Sequence, residues 1–182
     1  MRHINIFRSI LLIISIFLIT SCSNNSAMKP EDFKNKEPKL VIEEYMSGNV
    51  KAWGVLQNRS GKVTRQFSAD LNGTWDGKQL ILKEKFNWDD GEVQDREWTI
   101  NKIDEHNYEG TAGDVVGKAK GYSYGPAFKF EYVLLVPVKG KEMKITFDDW
   151  IFKQEDRVCI NRAAMTKFGF KVVELTVVFV RV

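Results

Sequence analysis

The chain is poor in the residues from which active centres are usually built. Of 182 residues, two are cysteine and two are histidine, and no His/Cys group has the spacing of a zinc site or of an activated thiol. Beyond the first segment only His106 remains, in the turn Asp104-Glu105-His106-Asn107, where a solvated loop residue is expected. No glycine-rich phosphate fingerprint is present. Charge of one sign is also missing, since 27 basic residues face 24 acidic ones in alternation. That excludes the basic stripe of a nucleic-acid binder. Asp148-Asp149 cannot work as an acid/base pair, because adjacent strand residues point to opposite faces. Asp89-Asp90 belongs to a hairpin tip, and a calcium loop needs more oxygen ligands at ordered spacing. No catalytic residue, metal or cofactor is therefore expected. Long hydrophobic runs are limited to Ile10–Ile19, too short to cross a bilayer comfortably.

That run is informative. Arg2, His3 and Arg8 precede it, and Leu18-Ile19-Thr20-Ser21-Cys22 follows, the layout of a secretory signal. A cysteine directly after small residues resembles the bacterial lipobox; an ordinary cleaved signal or an anchor helix is the alternative. The resemblance implies cleavage before Cys22, diacylation of its thiol and membrane attachment through N-terminal acyl chains. Ser23, in place of an inner-membrane-retaining Asp, implies the periplasmic face of the outer membrane. The expected organisation is a signal peptide over 1–21, a polar tether with two prolines over 22–38, and one domain over 39–182. The discarded segment carries two arginines and no acid, so the mature chain is nearly neutral. With Cys22 lipidated, Cys159 in Val158-Cys159-Ile160 has no partner and reads as a buried small hydrophobe.

Leu40–Met46 reads as one or two helical turns. From Val50 the apolar period becomes two, with turn residues about every dozen positions, an antiparallel meander of about eight to ten strands. Hairpin pairing tests this, since directly opposite residues share a face. A two-residue turn at Asp76-Gly77 pairs Leu71 with Leu82, Ala69 with Glu84 and Phe67 with Phe86. A three-residue loop at Asp89-Asp90-Gly91 pairs Leu82 with Trp98 and Glu84 with Arg96 inside, and Lys83 with Glu97 and Lys85 with Asp95 outside. A loop at Arg59-Ser60-Gly61 pairs Trp53 with Phe67. A turn at Lys139-Gly140 pairs Leu134 with Ile145, Tyr132 with Phe147 and Phe130 with Asp149, and sets Glu131 unexpectedly against Asp148. The turn near Asp156 leaves Arg162 opposite Asp149, Trp150 or Ile151. Gly110, Gly113, Gly117, Gly121 and Gly125 mark bends or close backbone approach. Sequential hairpins favour an all-β, antiparallel up-and-down β-barrel, which removes sheet edges. Polar outer and apolar inner faces are the reverse of a transmembrane barrel.

Six stretches carry a family resemblance: Gly48-Asn49-Val50-Lys51-Ala52-Trp53-Gly54, Asn58-Arg59-Ser60-Gly61-Lys62-Val63, Gly73-Thr74-Trp75-Asp76-Gly77, Phe147-Asp148-Asp149-Trp150, Ile160-Asn161-Arg162-Ala163 and Lys167-Phe168-Gly169. Across nearly all of 30–180 the chain resembles uncharacterised proteobacterial lipoproteins, a domain of unknown function with a lipocalin-like β-barrel. The resemblance implies that fold and no established activity. A lipocalin-type Gly-x-Trp is present at Gly73-Thr74-Trp75, but it follows the second strand instead of opening the first.

Charges on faces that should point inward are the anomaly: Arg65, Glu84, Arg96, Asp149 and Arg162. Each needs a partner, water or a ligand. With the aromatics Trp53, Phe67, Trp88, Trp98, Phe130 and Tyr132 they form the candidate ligand-binding set, an apolar pocket with few polar anchors. Internal salt bridges in a solid core are the competing reading. The leading expectation is a monomeric lipid-anchored barrel binding a small hydrophobic or amphipathic molecule such as a lipid or fatty acid. An envelope interaction protein with a filled interior comes second. A cavity isomerase or cyclase comes third, and it requires a titratable group with a strongly shifted pKa facing the lumen.

Overall fold

The computed structural model describes residues 27–138 and 140–182. The signal segment and Cys22, with the expected lipidation, lie outside the described residues, as does Lys139 of the Lys139-Gly140 turn. No described helix is long and apolar enough to cross a membrane.

Ten strands follow one another: β1 (Gly48–Asn58), β2 (Val63–Trp75), β3 (Gln79–Trp88), β4 (Val93–Lys102), β5 (Asn107–Thr111), β6 (Ala119–Tyr124), β7 (Ala127–Val138), β8 (Lys141–Glu155), β9 (Val158–Lys167) and β10 (Phe170–Arg181). Each pairs with its sequence neighbours, and β10 returns to β1, so the sheet is a closed up-and-down barrel. Closure leaves no ladder edge to be satisfied by another chain. The period-two pattern places Val50, Ala52, Phe67, Ala69, Leu71, Leu80, Leu82 and Trp98 in one buried interior.

Two hairpins have the register their sequence dictates. β3 and β4 pair Leu82 with Trp98, Glu84 with Arg96, Lys83 with Glu97 and Lys85 with Asp95. β7 and β8 pair Tyr132 with Phe147, Phe130 with Asp149 and Glu131 with Asp148. The like-charge pair is explained by Lys129, whose Nζ lies 2.6 Å from Glu131 and 3.5 Å from Asp148.

Two other registers differ from expectation. Between β1 and β2 the ladder shifts after Gln57↔Val63 to Leu56↔Arg65. This bulge turns every earlier β1 side chain over, because one extra residue exchanges the two faces. Trp53 therefore sits opposite Ser68 and not Phe67, and it is 49% exposed. Between β2 and β3 the pairs are Leu71↔Glu84, Ala69↔Phe86 and Phe67↔Trp88, a slip of two that preserves the faces. Its cause is a longer turn: Asp76 Oδ1 accepts hydrogen bonds from the amides of Lys78 and Gln79 at 2.8 and 2.7 Å.

One end of the barrel is plugged by helix α1 (Ile42–Tyr45). Leu40, Ile42, Tyr45 and Met46 are at most 3% exposed. The Tyr45 hydroxyl donates towards the carbonyls of Arg157 and Phe179, both at 3.0 Å. Glu43, also buried, accepts from Lys102 Nζ at 2.5 Å and the Tyr108 hydroxyl at 2.9 Å. Burial pushes its carboxyl up, but those donors and its own backbone amide hold it below the ordinary glutamate range.

Part of the segment read as a polar tether, 22–38, packs on the barrel. A 3-10 turn over Pro30–Phe33 lays Phe33 on the outer wall, 5.9 Å from Trp150 and 5.5 Å from Phe152 between ring centroids. The contact buries Trp150 and half-buries Phe33 and Phe152. Cys159 is fully buried, and burial pushes its thiol up to about 11, so it is chemically quiet.

Candidate functional site

The interior is not solid. A cavity of about 300 Å³ runs from Ile42 and Met46 of the plug to Arg65, Trp88 and Glu92 at the opposite end. That volume is at the lower bound of roughly 300–1,000 Å³ usual for small-molecule sites. Of the expected set, Phe67, Glu84, Trp88, Arg96, Trp98, Phe130, Tyr132, Asp149 and Arg65 all line it.

Two do not. Trp53 is turned outward by the β2 bulge at Thr64. Arg162 stands opposite Trp150, one of the registers left open, which puts it on the outer face. There it forms an ion pair with Glu174, its side chain 61% exposed.

Aromatic walls form because alternate residues of β4 and β7 face one another across the lumen. The Trp98 ring lies 5.1 Å from Phe130 and 5.2 Å from Tyr132, and Tyr132 stacks on Phe147 at 4.9 Å. These rings fit only where the wall is thin. A methyl group on Gly110 would stand 2.4 Å from Phe130 Cζ, and one on Gly54 2.3 Å from Phe67 Cζ. At the far end Arg65 lies 3.9 Å over the Trp88 ring. It donates to Asp90 Oδ1 at 2.8 Å and Glu92 Oε2 at 2.9 Å, tying β2 to the β3–β4 hairpin.

Two residues that the sequence did not single out complete the polar set. Asp114, between β5 and β6, accepts from Arg96 Nε at 3.1 Å and Nη2 at 2.6 Å. Its loop is held against β7 by the Leu135 amide donating to the Asp114 carbonyl at 2.9 Å and by a bridge between Val115 and Leu134. Asn161, opposite Ile151 on β9, is 3% exposed; its amide donates to Asp149 Oδ1 and, at 3.1 Å, to the Trp150 carbonyl. The Tyr132 hydroxyl donates to Asp149 Oδ2 at 3.0 Å.

Glu84 has no close ion-pair partner among these groups. Its Oε2 is 4.0 Å from Arg96 Nη1, and its side chain is 12% exposed. Burial pushes its carboxyl up to about 7; Arg96 and a hydrogen bond from the Trp98 indole oppose this, while the charges of Asp149 and Asp114 add to it. Burial likewise pushes Asp149 up to about 6 against its donors Asn161 and Tyr132. The site is thus an aromatic chamber, open at one end, with two carboxyls that burial pushes up towards neutrality, suited to holding an amphipathic molecule or to moving a proton. His106 lies outside the chamber, stacked on Tyr124 at 4.1 Å. Among the described residues no group of three His, Cys, Asp or Glu could hold a metal ion.

The barrel is similar to solved structures of other proteins. The S-type phycobiliprotein lyase CPES from Guillardia theta superposes with a TM-score of 0.56 at 10% identity, over 77% of this chain and 90% of that one. A protein of unknown function from the DUF3598 family of Nostoc punctiforme gives 0.60 at 16% identity, over 81% of this chain. The likeness covers 51% of that longer protein. At such identities the likeness shows the fold alone. No curated protein matches the chain. A family profile does, along residues 16–181, and by it the chain belongs to the DUF3833 family of proteins of unknown function.

Proposed function

We propose that this chain is a lipid-anchored envelope protein whose barrel takes up a small apolar or amphipathic molecule. The observation that carries the reading is the cavity of about 300 Å³, walled by aromatics and provided with a few convergent polar groups. It speaks against a solid-core interaction protein. The similar barrel of a protein named as a phycobiliprotein lyase is compatible with work done inside such a fold. Anchoring rests on the lipobox-like ending at Cys22, and Ser23 favours the periplasmic face of the outer membrane.

Native mass spectrometry of protein extracted gently from membranes tests both parts. Diacylation of Cys22 and a copurifying small molecule that leaves on activation are expected. An unmodified Cys22 removes the anchor; a protein that copurifies nothing and binds no hydrophobic fluorophore inside the barrel removes the ligand.

A second reading, acid–base catalysis on the bound molecule, is favoured by Glu84, a buried carboxyl raised to about 7 that lines the chamber. Its test is turnover of the copurified molecule, abolished by Glu84→Gln with binding retained.

A further inference from the structure

The polar groups of the lumen are out of balance. Arg65 and Arg96 are the cations lining it, and both are committed. Arg65 at the mouth is held by Asp90 and Glu92. Arg96 gives its short contacts to Asp114. Against Arg96 stand three carboxyl groups, Glu84, Asp114 and Asp149. Asp149 is served by Tyr132 and Asn161. Asp114 Oδ1 is buried with no hydrogen-bond partner, and Glu84, which takes a hydrogen bond from the neutral Trp98 indole, has its guanidinium only at 4.0 Å. What the described residues of the chamber lack is positive charge and, at Asp114 Oδ1, a hydrogen-bond donor. An anionic head group would add another negative charge to a low-dielectric space, where unpaired charge is costly. A protonated amine supplies what is missing.

Resting on the proposal that the cavity is a ligand site, we infer that its occupant carries an ammonium or similar cationic head on an apolar body. The head sits against Glu84, with Asp114 and Asp149 contributing to the same field, and the body lies along Trp98, Phe130 and Phe67. Fatty acids, an initial expectation for this barrel, are disfavoured by the same groups.

The test titrates the full mature protein, held in nanodiscs of zwitterionic lipid, with octylamine, octanol and octanoate at pH 8. Tryptophan fluorescence is the readout, and empty nanodiscs are the blank. Octylamine should bind about tenfold or more tighter than octanoate, the gain of one charge-assisted hydrogen bond in a buried site. Glu84→Gln should remove most of that preference, and Asp149→Asn, on another strand, should reduce it. The wild-type comparison decides even where a variant fails to fold. Octylamine binding no tighter than octanol or octanoate overturns the inference and leaves the cavity as a binding site. Binding of none of the three overturns the ligand-site reading and the inference with it.

Discussion

Glu84 on β3 and Arg96 on β4 are direct cross-strand partners inside the barrel, yet their charged atoms stay 4.0 Å apart while Arg96 closes to 2.6 Å on Asp114. The strand pair alone would have made one neutral ion pair. The β5–β6 loop brings in a second acid and takes the guanidinium's best hydrogen bonds. Glu84 is left as a buried carboxyl whose proton is held to about pH 7.

Stability should therefore depend on pH in a direction opposite to that of most carboxylates. Between the ordinary value of 4.5 and about 7 the folded protein keeps a proton that the unfolded chain releases. The contribution is fully present below pH 4.5 and is lost as pH rises through 7. Asp149, raised from 3.8 to about 6, acts in the same sense. For Glu84 the loss is on the order of 3 kcal/mol. Urea unfolding of the ligand-free protein should show higher stability near pH 5 than near pH 8, and Glu84→Gln should flatten the curve. An unchanged slope in the variant would place the titration elsewhere.

The plug makes a second expectation. Glu43 on α1 reaches Lys102 at 2.5 Å and the Tyr108 hydroxyl at 2.9 Å. Lys102→Met leaves a buried carboxylate without its cation and should cost about 3 kcal/mol. Adding Glu43→Gln should restore most of that, since an amide is far cheaper to bury than a charge. A double-mutant cycle by denaturant titration gives the coupling; additive losses would mean that the pair does not hold the plug.

How far the chain announced this arrangement differs from strand to strand. β3–β4 and β7–β8 are legible because their turns are short, and in β3–β4 the outer charges match in only one register. The β1–β2 bulge was not, because a single inserted residue leaves the alternation within each strand intact and only exchanges the partners; Trp53 was assigned to the wrong face for that reason. Asn161 had a readable signal. Cys159, Ala163 and Met165 are small or apolar at alternate positions, and Asn161 belongs to that same buried series. Asp114 had none, because it lies in a glycine-rich loop whose placement depends on its pairing with β7. The lumen itself follows from how much space these rings leave, a quantity that no pattern of residue types encodes.

The β9–β10 turn should be improvable. Phe168 has φ of 51° and is 88% exposed, so a bulky side chain occupies a left-handed position that asparagine tolerates far better. Phe168→Asn should raise stability by about 1 kcal/mol and reduce aggregation, read as a higher urea midpoint at unchanged slope. A loss of stability would show that the ring has a packing role in the folded protein.

Gly110 connects the wall to the lumen, and it offers the sharpest test that the chamber is used. A Cβ there meets Phe130 Cζ at 2.4 Å, with Cε2 and Cε1 at 3.3 and 3.4 Å. The backbone of β5 is fixed by its ladders to β4 and β6, so the ring must yield, and the open side is the cavity. Gly110→Ala should therefore cost about 1–3 kcal/mol through overpacking and reduce the space in which a ligand sits. Gly113→Ala is the matched control, because nothing lies within 4 Å of its Cβ position. With octylamine as the probe, affinity should fall about tenfold in Gly110→Ala, the equivalent of losing roughly 1.4 kcal/mol of contact, and stay unchanged in Gly113→Ala. Equal affinity in both variants, with Gly110→Ala still folded, would mean that the probe binds somewhere other than beneath Phe130.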